Sequence, residues 1–285
     1  MGRRVALAAM AVSGALAAVK IVVGLMAGST SVVADGVESA SDVIASGIVL
    51  FGLVIASKPA DANHPYGHGR FETITGLGVA TMLALTGAAI CVKSMQQLGQ
   101  AHEAPASYAI WPLIGSIAAK SVMSAFKFHW GRKLRSDSLV ADAWNDSVDI
   151  LSGFVALAAV GLTLYDPSRF LAADHYGGLG VGIIVIFLGV RVAHETSLHL
   201  MDTMPDEASM REIRQAALTV PGALGVEKCF ARKTGLQYHV DLHLEVDPSM
   251  TVRDSHQIAS EVRDRIRERL DWVADVMVHV EPHEV

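Results

Sequence analysis

The stretch Asp35-Gly36-Val37-Glu38-Ser39-Ala40-Ser41-Asp42 lies inside an otherwise apolar segment running from about Val32 to Ala56. Three carboxylates stand where a membrane helix would want none. At 100° per residue, Asp35, Glu38 and Asp42 fall within roughly 60° of one another, one stripe on one helix face. A second stripe answers it in the apolar segment from about Leu139 to Leu164, where Asp142, Asn145, Asp146 and Asp149 fall within roughly 100°. Ionisable side chains inside a bilayer are costly, face the bundle interior and mark an ion path. The competing reading, soluble helices with polar faces, fits poorly, because the flanking runs are too long and too apolar.

The bulk numbers agree. The chain has 285 residues and is 51% hydrophobic, with a mean hydropathy of +0.38, too apolar for an ordinary soluble domain. The charged residues make up 18% and gather towards the C-terminus, which predicts a membrane part over residues 1–204 and a soluble part over 205–285. A net charge of −6 without a basic stripe argues against nucleic acid as a partner. Cys91 and Cys229 fall in different parts and outside any CxxC pattern, which argues against a structural disulfide or a thiolate metal site. Met1-Gly2-Arg3-Arg4 before an apolar run resembles a signal peptide opening. The run continues to Ala27 without a clear cleavage site, and the expectation is a retained first helix.

A span needs roughly 20 mostly apolar residues. Six segments meet this: about Val5 to Ala27, Val32 to Ala56, Phe71 to Leu98, Tyr108 to Trp130, Leu139 to Leu164 and His175 to Leu198. The short Gly28-Ser29-Thr30-Ser31 link makes the first two a tight antiparallel hairpin. Arg3, Arg4, Lys58, Arg70, Lys127, Arg132, Lys133 and Arg135 all fall on one side, while the opposite loops carry mainly Lys93 and Arg169. The positive-inside rule then puts both termini in the cytoplasm, the expected setting being a bacterial inner membrane.

Rise per residue tests whether the two stripes can meet. Glu38 sits roughly 9 Å and Asp42 roughly 15 Å below the outer surface, while Asn145 sits roughly 13 Å and Asp149 roughly 20 Å above the inner one. In a core of about 30 Å these depths overlap. Four oxygen-bearing side chains from two helices can converge there, as a buried divalent-cation site requires. Lys20 on the first span is level with Asp35 and Glu38, either as their charge partner or snorkelling along its stem. Lys120 lies nearer the inner surface, where snorkelling is the expectation.

The loop after the second span reads Lys58-Pro59-Ala60-Asp61-Ala62-Asn63-His64-Pro65-Tyr66-Gly67-His68-Gly69-Arg70-Phe71-Glu72. Asp61, His64 and His68 suit zinc or a similar metal. Beyond Pro205, the pattern predicts a helix over Asp206 to Thr219 and a hairpin of Leu224 to Lys233 with Leu236 to Val246 about Thr234-Gly235. A helix over Thr251 to Leu270 and a strand over Val273 to Val280 follow. That αββαβ order predicts a small two-layer α+β domain. In the second strand Val240, Leu242, Leu244 and Val246 face one way, and His239, Asp241, His243 and Glu245 the other. His256, His279, Glu281 and His283 are further donors for a metal on that polar face. His194-Glu195-Thr196-Ser197-Leu198-His199 resembles a zincin motif, but its histidines are at i and i+5, off the shared face that HExxH needs.

Three motifs together resemble the cation diffusion facilitator family of divalent metal efflux transporters, over essentially the whole chain. They are Val33-Ala34-Asp35-Gly36-Val37-Glu38-Ser39-Ala40-Ser41-Asp42, His64-Pro65-Tyr66-Gly67-His68-Gly69-Arg70-Phe71-Glu72, and Ala141-Asp142-Ala143-Trp144-Asn145-Asp146-Ser147-Val148-Asp149. The resemblance implies a homodimer of six-helix subunits with a cytoplasmic ferredoxin-like domain. It implies a secondary active transporter rather than an enzyme, exporting metal by alternating access in exchange for protons, with no organic cofactor. Carried over, the transport site is Glu38, Asp42, Asn145 and Asp149, and the loop site Asp61, His64 and His68. The cytoplasmic site is His243, His256 and His279 with Glu281, and Glu227 stands where the family often has a histidine. The family's interlocking ion pair falls on Arg70 and Asp202.

Zinc-type members usually place histidine in the transport site, whereas here every donor is oxygen. Hard oxygen donors lean towards manganese or ferrous iron, while the general affinity order favours zinc. The expected cargo is therefore open among Zn, Fe(II) and Mn, with Co and Cd also compatible. Asp142 and Asp146 would form the acidic approach from the cytoplasm. Two alternatives stand beside efflux: a non-transporting membrane metal sensor or scaffold, and an iron transporter of the magnetosome-related branch.

Overall fold

The computed structural model describes residues 2–98, 103–134, 137–235 and 237–283, with side chains at 10–98, 103–129, 143–235 and 237–283. The side chains of Arg3, Arg4, Arg132, Lys133, Arg135 and Asp142, all singled out from the sequence, lie outside the described set. The chain forms two compact units, Met1–Ile48 with Gly78–Val192, and Val49–Leu77 with Ala193–Val285.

The long helices are α1 (Gly2–Ala27), α2 (Thr30–Ala56), α3 (Arg70–Gln97), α4 (Ile110–Leu134), α5 (Asp137–Tyr165) and α7 (Ala173–Leu200), with a single turn, α6 (Pro167–Phe170), before the last. Among the described residues six helices are long and apolar enough to cross a membrane, and they fall on the six expected segments. In the first unit the core is built by Val32, Leu113, Val160, Val181 and Val185, all fully buried. Large apolar side chains such as Leu25, Trp111, Val122 and Phe187 face outward, as surfaces in contact with lipid require.

Gly28, at φ 68°, ends α1 in the left-handed conformation that glycine adopts without strain. The next residues open α2, whose first-turn amides need acceptors. Asp174 at the start of α7 supplies them. It accepts from the backbone N–H of Thr30 at 2.6 Å and from the Ser29 hydroxyl at 2.7 Å, and it also pairs with the Ser31 hydroxyl. At Gly36 an added Cβ would fall 2.9 Å from the backbone nitrogen of Ile21. The close approach of α1 and α2 there sets Lys20 directly against Asp35 and Ser39.

The second unit holds α8 (Glu207–Ala217), β1 (Gly225–Thr234), β2 (Gln237–Val246), α9 (Val252–Arg269) and β3 (Val273–Pro282). Each expected element is present within two residues or so of its expected ends. Asp206 caps α8 by accepting from the N–H groups of Ala208 and Ser209 at 2.9 and 3.0 Å, and Thr251 caps α9 by accepting from that of Asp254 at 3.2 Å. The sheet runs β1-β2-β3. β1 and β2 pair antiparallel across the hairpin, and β3 runs parallel to β2 because α9 supplies the crossover. Ile213, Leu242, Leu244, Val262 and Ile266 are fully buried between helices and sheet. The period of two therefore leaves the His243 face of β2 on the side away from the core.

Gly235 turns the hairpin at φ 70°. A Cβ there would lie 2.8 Å from Cα of Gly69, and a Cβ on Gly69 would run into the carbonyl oxygen of Thr234. The loop after α2 and the hairpin tip thus touch backbone to backbone, at two positions where only glycine fits. One residue beyond Gly69, the guanidinium of Arg70 lies 3.5 Å from the carboxylate of Asp202, the pairing expected from the sequence. Asp202 itself holds φ 53°.

Candidate metal sites and ion path

The buried acidic group is built by α2 and α5. Asp35 and Glu38 are each 1% exposed, Asp149 7% and Asp146 8%. Three of these carboxylates have a lysine of their own. Lys20 on α1 lies 2.8 Å from Asp35 and donates to the Ser39 hydroxyl at 2.6 Å. On α4, Lys120 lies 2.6 Å from Asp149 and Lys127 2.6 Å from Asp146. The first of these resolves the Lys20 alternatives in favour of the charge partner. The second corrects the expectation that Lys120 snorkels: an acceptor stands opposite it on α5, so the ammonium is satisfied inside the bundle.

Glu38 and Asp42 differ from the other three. Both carboxylate oxygens of Glu38 and Oδ2 of Asp42 are buried, with Ser152 beside Glu38 and Asp149 beside Asp42, and among the described residues neither has a lysine within ion-pair distance as the other three do. The charged groups acting most strongly on Glu38 are Asp149, Asp35 and Asp42, and those on Asp42 are Asp149, Lys120 and Lys20. Two helices thus bring three of the four expected transport ligands together. The fourth, Asn145, is exposed. It shares the azimuth of Asp149 one turn earlier on α5 and lies on the exposed side of the group.

In the loop, Asp61, His64 and His68 bring three donor atoms within 4.8 Å of one another. Oδ1 of Asp61 accepts from the backbone N–H of His64 at 2.7 Å and lies 3.1 Å from its Nδ1, while Oδ2 is 3.5 Å from Nε2 of His68. The backbone N–H of His64, more than any other group, holds the Asp61 carboxyl below the ordinary aspartate range. Nδ1 of His68 contacts the carbonyl oxygen of Pro59 at 3.2 Å. That contact fixes the ring's orientation and leaves the other nitrogen towards Asp61.

The polar face of the sheet carries a second triad, His243, His279 and Glu281, with donor atoms again within 4.8 Å. The β2/β3 register sets His243 beside His279 and Glu245 beside Glu281. Oε1 of Glu281 lies 2.6 Å from Nδ1 of His243 and 3.7 Å from Nε2 of His279, and the two rings meet edge to face at 5.1 Å. A hydrogen bond with Glu227, followed by the one with His243, keeps the Glu281 carboxyl below the usual glutamate range. Glu227 thus adds a carboxylate beside the triad, and it also lies 3.0 Å from Lys228.

Two sequence expectations do not join this triad. His256 is exposed on α9, whose buried residues Ala259, Val262 and Ile266 face the sheet. It sits in the helical layer, and in one chain the triad forms without it. His283 instead pairs with Glu245 at 2.5 Å, and its N–H donates to the carbonyl of Val246 at 2.8 Å. The Lys120–Asp149 and Lys127–Asp146 pairs were missed from the sequence. Their signal was available: the lysines are seven apart on one helix and the aspartates three apart on the next, so each pair shares a face.

With this geometry in hand, the wider relationships of the chain are specific. Residues 6–201 match the cation efflux transmembrane domain and residues 205–283 the cytoplasmic domain of cation efflux proteins. The chain is 32% identical to metal tolerance protein C1 of Arabidopsis thaliana over 94% of its own length and 59% of that protein's. It is 35% identical to an uncharacterized transporter of Methanocaldococcus jannaschii, over 93% of both chains. It is 28% identical to the manganese efflux system protein MneP of Bacillus subtilis, over 99% of this chain and 97% of that one. The fold and site define a multi-pass integral membrane transporter with an appended α+β domain. The chain belongs to the cation diffusion facilitator family of metal efflux transporters.

Proposed function

We propose that this protein exports a divalent transition metal ion from the cytoplasm in exchange for protons, working as a homodimer with both termini in the cytoplasm. The observation that carries this reading is the grouping of the carboxylates Glu38, Asp42 and Asp149, with both oxygens of Glu38 and Oδ2 of Asp42 shut away from solvent. Such oxygens are costly to bury unless a cation or a proton offsets them. A divalent ion would be held by Glu38, Asp42 and Asp149, with Asn145 on the exposed side adding a neutral amide oxygen as the ion arrives. Metal and protons compete for the same oxygens, which is the physical basis of exchange.

The all-oxygen donor set favours Mn(II) or Fe(II) over softer ions, with Zn, Co and Cd as competitors. The likeness to a manganese efflux protein supports looking first at Mn(II). The sheet triad of His243, His279 and Glu281, and the loop triad of Asp61, His64 and His68, are proposed as metal sites that tune transport to metal level. On this reading residues 1–204 carry transport and 205–285 regulation and dimerisation.

The test is metal-driven proton flux in vesicles reconstituted with the full chain. Glu38→Gln keeps shape and volume but removes the charge, and flux is expected to fall to the background of empty vesicles. Wild-type flux in that variant would remove the buried group from the mechanism, while flux no greater than background in the unmutated protein would leave a metal-responsive membrane protein that does not transport.

A further inference from the structure

Asp149 is a proposed metal ligand, yet its carboxylate is already occupied. Nζ of Lys120 lies 2.6 Å from its Oδ2, and the two side chains are only 9% and 6% exposed. We propose that Lys120 is a tethered counter-cation of the transport site: its ammonium holds Asp149 while the site is empty, and an arriving divalent ion must displace it. This rests on the reading of Glu38, Asp42 and Asp149 as the transport group.

The arrangement of the other lysines singles out Lys120. Lys20 and Lys127 neutralise Asp35 and Asp146, neither of which is in the proposed ligand set. Only Lys120, among the described lysines, sits on a member of that set. It is also the cation acting most strongly on Asp42. With three of the five carboxylates described on α2 and α5 matched by ammonium groups, Glu38 and Asp42 remain, and their combined charge when ionised suits one divalent ion. An ammonium and a metal ion cannot share one carboxylate in a low-dielectric interior without strong repulsion. Lysine is suited to yielding: a compact charge on a flexible four-carbon stem can swing aside, where a guanidinium would grip a carboxylate bidentately.

The consequence is a site that binds its cargo less tightly than its carboxylates alone would, and lets go faster. Conduction needs that compromise, because an ion held too firmly does not leave. Lys120 would return to Asp149 as the metal departs.

The test measures initial transport rates against Mn²⁺ concentration for the full chain in vesicles, with Zn²⁺ as a second probe. K120Q removes the competitor, and KM is expected to fall about tenfold or more, with a lower kcat from slower release. K120R replaces a yielding cation by a gripping one, and KM is expected to rise. A residue with only a structural role would lower kcat in both without opposite movements of KM. Values of KM that stay at wild type, or move the same way in both variants, overturn the proposal. If K120Q does not fold, K120R with an unraised KM overturns it alone. Glu38→Gln run alongside separates the two claims. Loss of transport there, with unmoved KM in the Lys120 variants, sinks the role of Lys120 and leaves the site; wild-type transport there removes the site itself.

Discussion

Nζ of Lys20 on α1 lies 2.8 Å from Oδ2 of Asp35 on α2, with both side chains 2% exposed. The two charges are held in the interior by each other and by the Ser39 hydroxyl. Removing one partner of a buried pair leaves an uncompensated charge, at a cost of about 3–5 kcal/mol. Lys20→Met should therefore destabilise the protein strongly, and Lys20→Met combined with Asp35→Asn should recover most of the loss. Unfolding in detergent by heat or denaturant checks this. Equal stability of the single and double variants would mean that the pair does not couple α1 to α2.

The Asp174 carboxylate serves the first turn of α2 from a helix more than 140 residues away in sequence. Asp174→Ala strips those N–H and hydroxyl groups of their acceptor, and a lost cap costs about 0.5–2 kcal/mol, with burial pushing towards the upper end. Asp174→Asn keeps an acceptor oxygen and should cost less. Hydrogen exchange at the Thr30 and Ser31 amides is the direct readout, faster in the alanine variant than in the asparagine one.

The loop carboxylate Asp61 titrates below an ordinary aspartate, chiefly through the backbone N–H of His64. A depressed folded-state value means that its contribution is fully present above the unfolded value and is lost only as pH falls through the lower folded one. The loop should therefore keep its His64 contact at pH values where an unstructured aspartate is already half protonated. Carbon-13 titration of the Asp61 carboxyl, in the folded protein and again after denaturation, measures it. Coincident titration in the two states would show that the turn is open in solution.

Burial pushes the Cys229 thiol up to about 11, and the residue is 3% exposed. A buried thiol with a raised value is inert, because the thiolate is the nucleophile. A maleimide reagent at neutral pH should leave Cys229 unmodified in the folded protein and label it fully after denaturation. Mass spectrometry after proteolysis distinguishes it from Cys91.

In the sheet triad, Oε1 of Glu281 serves both imidazoles. His279→Ala and Glu281→Gln should each weaken metal binding on this face by an order of magnitude or more, since a tight site needs its full donor count and the partners that orient it. His256→Ala should leave binding within a single chain unchanged. Metal titrations of the full-length protein in detergent, with the loop residues His64 and His68 replaced to silence the other triad, provide the comparison.

The six spans were legible from apolar run length alone, and the β2 face from its strict alternation. The depth of Lys20 followed from rise per residue, because its partner Asp35 lay at the same height on the next helix. The limits of that reasoning are equally physical. Helical angle placed Asn145 on the stripe of Asp149, but azimuth does not decide burial, and Asn145 is exposed. Lys120 looked like a snorkelling lysine because height was judged without its α5 acceptor. His256 had the right chemistry, but the rotation of α9 was set by Ala259, Val262 and Ile266 seeking the sheet. Asp174 gave no local sign of its role, since the amides it serves belong to another helix.

The contact of Gly69 with Gly235 leaves no space for even a methyl group on either side. Two backbones pressed that closely cannot slide independently, so the hairpin tip and the Asp61–His68 loop travel together like links of a chain. A shift of β2 along its own axis would be felt at Arg70, and so at the first turn of α3, without any side chain acting as messenger.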